Sequence, residues 1–352
     1  MLRFIKANWV LVAALCLLVL MSMPLIYFGN LLKIIGSQNE GTVAPDDAKD
    51  VAVGVCFNSF MEARWMKEWA VMQESAKAQG LTIQLKVAHH SLTRQISQIT
   101  NLLAHHIQVL ILDPVSSSGL EDVLEEARNQ GVKIIFYDEI TAGPGDFFLG
   151  IDYRGMGRLQ AKALLEKAGM GNYMIFKGPV HSYHSEMLYD GQQEILKMKN
   201  DVFANVVSIN ALTNWSADEA VTKIRATITH QKLQAILAPE DLIAEEVANF
   251  YKEQKSSAPY ITGAGAELTA CQRVLHQEQL MTVAWNIPGL AKTAILSAKR
   301  MIQKKNAMGS MMVIENRRIQ ASIFPVYLVG RDNLRAILID KLKLYSGEDF
   351  GE

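Results

Sequence analysis

The chain has 352 residues, enough for about two domains, with 49% apolar residues, 20% charged residues and a formal net charge of −1. That balance excludes a disordered or low-complexity chain, and with no basic excess it argues against nucleic acid as a partner. Three cysteines are too few for a disulfide framework.

The first element in chain order is an apolar run. Trp9–Phe28 is twenty residues without a charge, long enough to span a bilayer, and Arg3 and Lys6 precede it. The positive flank predicts a cytoplasmic N-terminus and a single-pass cell-membrane protein whose main domain lies in the periplasm or outside the cell. The competing reading is a cleaved secretory signal. Against it, the run exceeds a usual signal core and no small-x-small site follows. Residues 1–29 are therefore assigned as an N-terminal transmembrane anchor or signal, and 30–50 as a polar tether carrying Gly36, Ser37, Gly41 and Pro45.

From there strands and helices alternate. Val51–Phe57 reads as a buried strand; Trp65, Trp69, Met72 and Ala76 mark one helix face that Gly80 ends. Alternation of Leu81, Ile83, Leu85 and Val87 predicts a strand. Ile96, Ile99 and Leu102 predict a helix, Val109–Leu112 a strand, Leu120 to Ala127 a helix and Val132–Tyr137 a strand. The second half repeats the pattern, with strands expected at Tyr173–Phe176, Val206–Ile209, Ala235–Leu237, Tyr260–Thr262 and Met281–Trp285, and with Ser216 and Glu219 forming a capping box. Repeated βαβ units predict an α/β fold of two doubly wound parallel-sheet lobes.

Enzyme signatures are missing: there is no P-loop, dinucleotide fingerprint or G-x-S-x-G elbow, so no catalytic residue or cofactor is expected. His181 and His184 lie three apart without an acidic or cysteine ligand at a familiar spacing, so no metal is expected either. In open parallel sheets, ligands bind beyond the carboxyl ends of the strands. The residues there are Asn58, Ser59 and Phe60; His89 and His90; Asp113 with Ser116 to Ser118; Asp138 and Glu139; His184 to Glu186; Asn214 and Trp215; and Glu240 and Asp241. Carboxylates, amides and hydroxyls suit sugar hydroxyls, and an aromatic face suits the apolar side of a sugar ring. Strand ends are also polar simply because loops face water.

Several segments carry a family resemblance. VAVGVCFNSFMEARWMKEWA contains an Arg64-Trp65 pair at the start of the first helix. RQISQITNLLAHHIQVLILDP, GVKIIFYDEI, GRLQAKALLE, MTVAWNIPGLAKTA and ASIFPVYLVGRDNLRAILID follow in order over roughly residues 51–349. Their order and spacing resemble the type I periplasmic solute-binding proteins for sugars, closest to the D-xylose-binding branch. The resemblance implies two lobes joined by a three-strand hinge and closing on a sugar, with 51–150 plus 286–312 as the N-terminal lobe and 151–285 plus 313–349 as the C-terminal lobe. It also implies a non-enzymatic binding role. The expected partner is a sensor histidine kinase if the apolar run is a retained anchor, or an ABC permease if the protein is an importer component. A decayed site serving a protein interaction is the third alternative.

Carried over by position, Asn58 and Phe60 fall at the ligand in the first loop, Asp138 matches the sugar-binding aspartate, Trp215 a ring-stacking tryptophan and Asp241 the acidic member of an Asn-Asp pair. Arg64 and Asp113 complete the expected ligand set from the first lobe. The departures are Glu139 and Glu186 where the family is basic, Glu240 for asparagine, Ala264 and Gly265 at an acidic position, and Trp285 for lysine. On this reading Asp138, Glu139, Glu186, Glu240 and Asp241 converge between the lobes without a matching cation, and helix one holds Arg64 at the rim.

Overall fold

A strand covered on both faces has to be apolar throughout. Val53–Phe57 (β1) meets that requirement, with all five residues buried. In the computed structural model, which describes residues 51–198 and 204–351, β1 leads to helix α1 (Ala63–Ala78), β2 (Ile83–Val87), α2 (Leu92–Ala104), β3 (Val109–Leu112), α3 (Glu121–Asn129), β4 (Lys133–Tyr137) and β5 (Phe147–Ile151). The proposed anchor, 1–29, and tether, 30–50, lie outside the described residues. Among those described, no helix is long and apolar enough to cross a membrane.

The chain then builds a second lobe from α4 (Tyr153–Ala168), β6 (Gly171–Lys177), α5 (Tyr183–Met198), β7 (Ala204–Ala211), α6 (Ala217–Ile228), β8 (Ala235–Leu237), α7 (Asp241–Glu253), β9 (Tyr260–Ile261), α8 (Leu268–Leu275) and β10 (Thr282–Trp285). It returns through α9 (Ile287–Ile302), β11 (Ser310–Ile314) and β12 (Arg317–Phe324), and crosses again into β13 (Val326–Val329).

The first sheet has the order β11-β12-β5-β4-β3-β1-β2, and the second β7-β6-β8-β9. Pairs within each are parallel, except that β11 runs antiparallel to β12 at the edge of the first sheet. In the second lobe β10 and β13 form an antiparallel pair, and a parallel bridge from Thr262 to Met281 joins it to the end of β9. Burial follows position: central β3 and β5 are wholly buried, whereas edge strand β2 is half-buried along its length. The α/β architecture with two lobes agrees with the sequence pattern.

The run Phe147–Ile151 is a fifth strand that the alternation missed, because its five apolar residues have no period to read. Residues 310–324 pair within the first sheet, where the sequence reading placed 313–349 in the second lobe. The reason is the β11–β12 hairpin turn at Glu315 and Asn316, both at positive φ, which returns the chain alongside β5. Three crossings therefore join the lobes: Ile151 to Tyr153, Trp285 to Ile287 and Phe324 to Val326.

Local chemistry explains how the elements are held. Ser216 caps α6 by accepting from the Glu219 amide at 3.2 Å. The Glu219 carboxylate reaches further back than a reciprocal box requires, to the Thr213 amide at 2.8 Å. Helices α4 and α5 approach closely at Gly157, where a Cβ would lie 2.0 Å from the Leu188 carbonyl oxygen. Beyond β13 the C-terminal segment buries Leu334, Leu338 and Leu342. Its Tyr345 hydroxyl donates to the Ala266 carbonyl of the second lobe at 2.9 Å and accepts from Lys67 of α1 at 3.0 Å.

Candidate functional site

Loops beyond the strand ends of both lobes face one another. At the end of β4 the chain turns at Asp138, a residue at φ 71 and only 2% exposed. Burying a lone carboxylate is costly, so a counter-charge is required. Arg64, 8% exposed in the first turn of α1, supplies it through Nη2 to Oδ2 at 2.5 Å. The Tyr153 hydroxyl, at the start of α4 in the second lobe, donates to the other oxygen. Behind Arg64, Glu68 lies one turn along α1 at 3.6 Å and accepts from the Tyr137 hydroxyl at 2.8 Å. Arg64 is therefore not held at the rim; it is the charged centre of the site.

The charges follow from these contacts. Burial opposes ionisation of Asp138, but the charge and hydrogen bond of Arg64 hold it below the usual carboxylate range. Glu68, with burial outweighing Arg64, is pushed up to about 7. Burial and then the neighbouring charge of Asp138 raise Asp113 well above its ordinary value, although its Oδ2 accepts from the Asn58 amide at 3.1 Å.

Glu139 links the lobes. Its carboxylate accepts from the Ser182 hydroxyl at 2.5 Å and from the amides of Tyr183 and His184 at 2.9 and 3.4 Å, at the start of α5. Those donors are the free amides of a helix N-terminus, which favours an acceptor there. Burial nonetheless dominates and lifts Glu139 to about 8.

Aromatic rings complete the walls. The His184 ring stacks on Tyr153 at 3.8 Å and meets Trp215 at 4.6 Å. Burial lowers His184 to about 3, so the imidazole is neutral. Asn214 and Trp215 take φ of 46° and 57°, which presents the indole over Gly178. No larger residue fits at Gly178, since a Cβ would lie 2.2 Å from the ring. The Arg64 guanidinium lies 3.9 Å from the Trp65 ring and 5.5 Å from that of Trp285.

Two adjoining spaces lie between these walls, of about 380 and 350 Å³, partly open to solvent, and Arg64, Glu62, Glu240 and His184 line both. Of the expected residues, Asn58, Arg64, Asp113, Asp138, Glu139, Trp215, Glu240, Asp241 and Trp285 line one or both. Phe60 does not; it packs edge-on against Phe57 beside the core. Glu186 does not either. It points along α5 to Lys177 at 3.0 Å, so the expected convergence of five carboxylates loses one member. Asp241 reaches the space but its oxygens are taken by Gln279, Thr282 and the Glu267 amide, at 2.9, 2.8 and 3.1 Å.

The sequence reading passed over Tyr153, Glu62, Glu68 and Glu267, and placed His184 only among loop residues. Recognising β5 would have exposed Tyr153 as a strand-end residue. Buried polar atoms at the lining that lack a hydrogen-bond partner among the described residues are Asn58 Oδ1, His184 Nε2 and Trp285 Nε1, while Arg64 Nη1 faces only Glu68 at 3.6 Å. Buried polar atoms are ordinarily paired, so these are open to a further hydrogen bond. No group of three or more metal-ligating side chains occurs among the described residues.

A profile of the periplasmic binding protein domain matches residues 53–306. The chain is 29% identical over 252 residues to the D-xylose-binding periplasmic protein of Escherichia coli (strain K12), covering 70% of this chain and 76% of the relative. It is 28% identical over 255 residues to the protein of the same name from Haemophilus influenzae, covering 70% and 76%. Among solved structures, a carbohydrate transporter solute binding protein from Chloroflexus aurantiacus in complex with D-glucose superposes with a TM-score of 0.78 at 24% identity, over 86% of this chain and 98% of that one.

Proposed function

The chain belongs to the periplasmic binding protein domain family, and on that premise we propose that it is an extracytoplasmic receptor that closes on a monosaccharide of the xylose-like pentose class or a close relative. The observation that carries this reading is the set of buried polar atoms without hydrogen-bond partners, Asn58 Oδ1, His184 Nε2 and Trp285 Nε1, along two adjoining spaces lined by Trp215 and Trp285. They offer an acceptor, an imidazole nitrogen and an indole donor to hydroxyls, while Trp215 offers a face to the apolar side of a ring. The relatives named for D-xylose support the same ligand class.

Closing follows from contacts across the cleft. Glu139 and Asp138 of the first lobe bond to Ser182 and Tyr153 of the second, and both bonds break if the lobes separate. Ligand binding between the lobes favours the joined arrangement, which is the population shift expected of a hinged receptor. The protein binds its ligand without transforming it.

The twenty-residue uncharged run favours a retained anchor and a fixed membrane partner of the sensor-kinase kind. The second reading, an importer component that delivers its ligand to an ABC permease, is favoured by the Chloroflexus relative described as a transporter component. N-terminal sequencing separates them: a start before Tyr27 and retention in membranes through high-salt washing support the receptor, and a start between Tyr27 and Asp50 supports the importer. Titration calorimetry with D-xylose, D-glucose and their relatives tests the binding itself. Saturable heat with a matching rise in Tm supports it. No heat and no Tm shift across pentoses and hexoses overturns it.

A further inference from the structure

The charges around the cleft do not balance. Among the described residues Arg64 is the one lysine or arginine lining the two spaces, and Asp138 and Glu68 already engage it. The lining also holds Glu62, Glu240 and Glu267, which converge from three elements: the turn before α1, the turn before α7 and the turn before α8. Glu62 accepts from the Trp65 indole and Glu267 accepts weakly from the Ala63 amide at 3.4 Å. Glu240 is the N-cap residue of α7, yet its side chain makes no cap bond, and among the described residues its carboxylate has no hydrogen-bond donor.

A second observation points to a ligand at the same place. Trp285 and His184 are only 4% and 6% exposed, and both line the space that holds these three glutamates. Trp285 Nε1 and His184 Nε2 are left without partners. The space is therefore built to bond a guest on one side and is acidic on the other. A neutral polyol satisfies the indole and imidazole nitrogens but leaves three carboxylates facing one another in a closed cleft. An amine-bearing sugar answers both: a hydroxyl accepts from the Trp285 indole, and the ammonium group donates to the carboxylates and neutralises their charge.

We propose that the ligand of this site is an amine-bearing sugar, its ammonium group seated among Glu62, Glu240 and Glu267. This rests on the sugar-binding reading and names the ligand class more narrowly. Burial, then the charge of Glu62, raises Glu240 well above its ordinary value, so an ammonium seated beside it would draw its proton off on binding.

Matched pairs test it with the protein as isolated from cells. D-glucosamine against D-glucose, and D-galactosamine against D-galactose, are titrated by calorimetry at pH 6.5 in low and high salt. The amine of at least one pair binds at least about tenfold tighter than its hydroxyl partner, and that advantage shrinks severalfold at high salt through screening. In Glu240→Gln the amine-to-hydroxyl affinity ratio falls about tenfold. Glu62→Gln lowers the same ratio and serves if the first variant does not fold. Equal or tighter binding of the hydroxyl partner, or a ratio indifferent to both substitutions and to salt, overturns the amine proposal and leaves the sugar reading standing. Binding by neither member of either pair overturns the amine proposal, and D-xylose titrated alongside then decides the sugar reading separately.

Discussion

Asp138 of the first lobe and Asp241 of the second are equally buried, at 2% and 1% exposed, and both stand beyond the end of a strand. Their partners differ entirely. Asp138 faces a guanidinium and a hydroxyl from the opposite lobe, and Arg64 draws it below the ordinary carboxylate range. Asp241 faces neutral donors of its own lobe, and burial raises it despite the bonds from Gln279 and Thr282. The first belongs to a site assembled from two lobes, the second to the framework of one. Position beyond a strand end therefore does not by itself separate a cleft residue from a framework one; the origin of the partner distinguishes these two.

The largest expected effect breaks the framework half of this comparison. Asp241→Ala leaves the Thr282 hydroxyl and the Glu267 amide without their acceptor and takes one of two from Gln279, which keeps the Met281 carbonyl, and each orphaned donor costs about 1–3 kcal/mol. Denaturant unfolding should show a loss of about 3–5 kcal/mol, the range for breaking a buried charged network. Ligand affinity per folded molecule should fall far less. A large affinity loss with unchanged stability would reverse the assignment.

Asp138→Ala also breaks a buried ion pair and should cost stability, but unlike Asp241→Ala it should cost affinity as well. It removes the main counter-charge of Arg64 and a bond to the second lobe, and ligand affinity should fall about 100-fold, or about 3 kcal/mol. Calorimetry measures this, and near-wild-type affinity would place Asp138 with Asp241 as framework.

The pH dependence sharpens the contrast. Glu68 and Glu139 are raised from 4.5 to about 7 and about 8, so their contribution to stability is full below pH 4.5 and is lost as pH rises through 7 and 8. His184 is lowered from 6.5 to about 3, so its contribution is present above pH 6.5 and is lost as pH falls toward 3. A plot of Tm against pH should peak on the mildly acidic side and fall in both directions. Glu139→Gln should flatten the alkaline limb, and an unchanged limb would remove Glu139 from the account.

Trp215→Ala carries the smallest of these effects. A half-buried indole at a loop tip should contribute about 1–2 kcal/mol to binding, about a tenfold change in Kd, and little to folding. Unfolding of the variant would show that the ring belongs to the core it borders.

The sequence made most strands legible because runs such as VLIL at 109–112 are too apolar for anything but an interior. It located the loops beyond them, and with these Asn58, Asp113, Asp138, Glu139, Trp215 and Glu240, on the rule that strand ends carry the site. Other features depend on where side chains turn. Arg64 and Glu68 are visibly one helical turn apart, but nothing in that spacing says the guanidinium tucks inward to Asp138. Glu186 opens a helix like many glutamates, and only the position of Lys177 across the strand end removes it from the cleft. Tyr153 was lost with the strand before it. Phe60 is a loop aromatic, and whether such a ring covers a ligand or closes the core is settled by its contact with Phe57.

Trp285 is the last residue of β10, two positions before α9 begins in the other lobe, and its indole is enclosed close to the Arg64 guanidinium. Under the proposed closing motion, an indole at a crossing between the lobes is a built-in optical probe. Its emission should shift to the red and respond more to iodide quenching when the lobes separate. The conformational state of the protein can thus be followed in solution without any attached label.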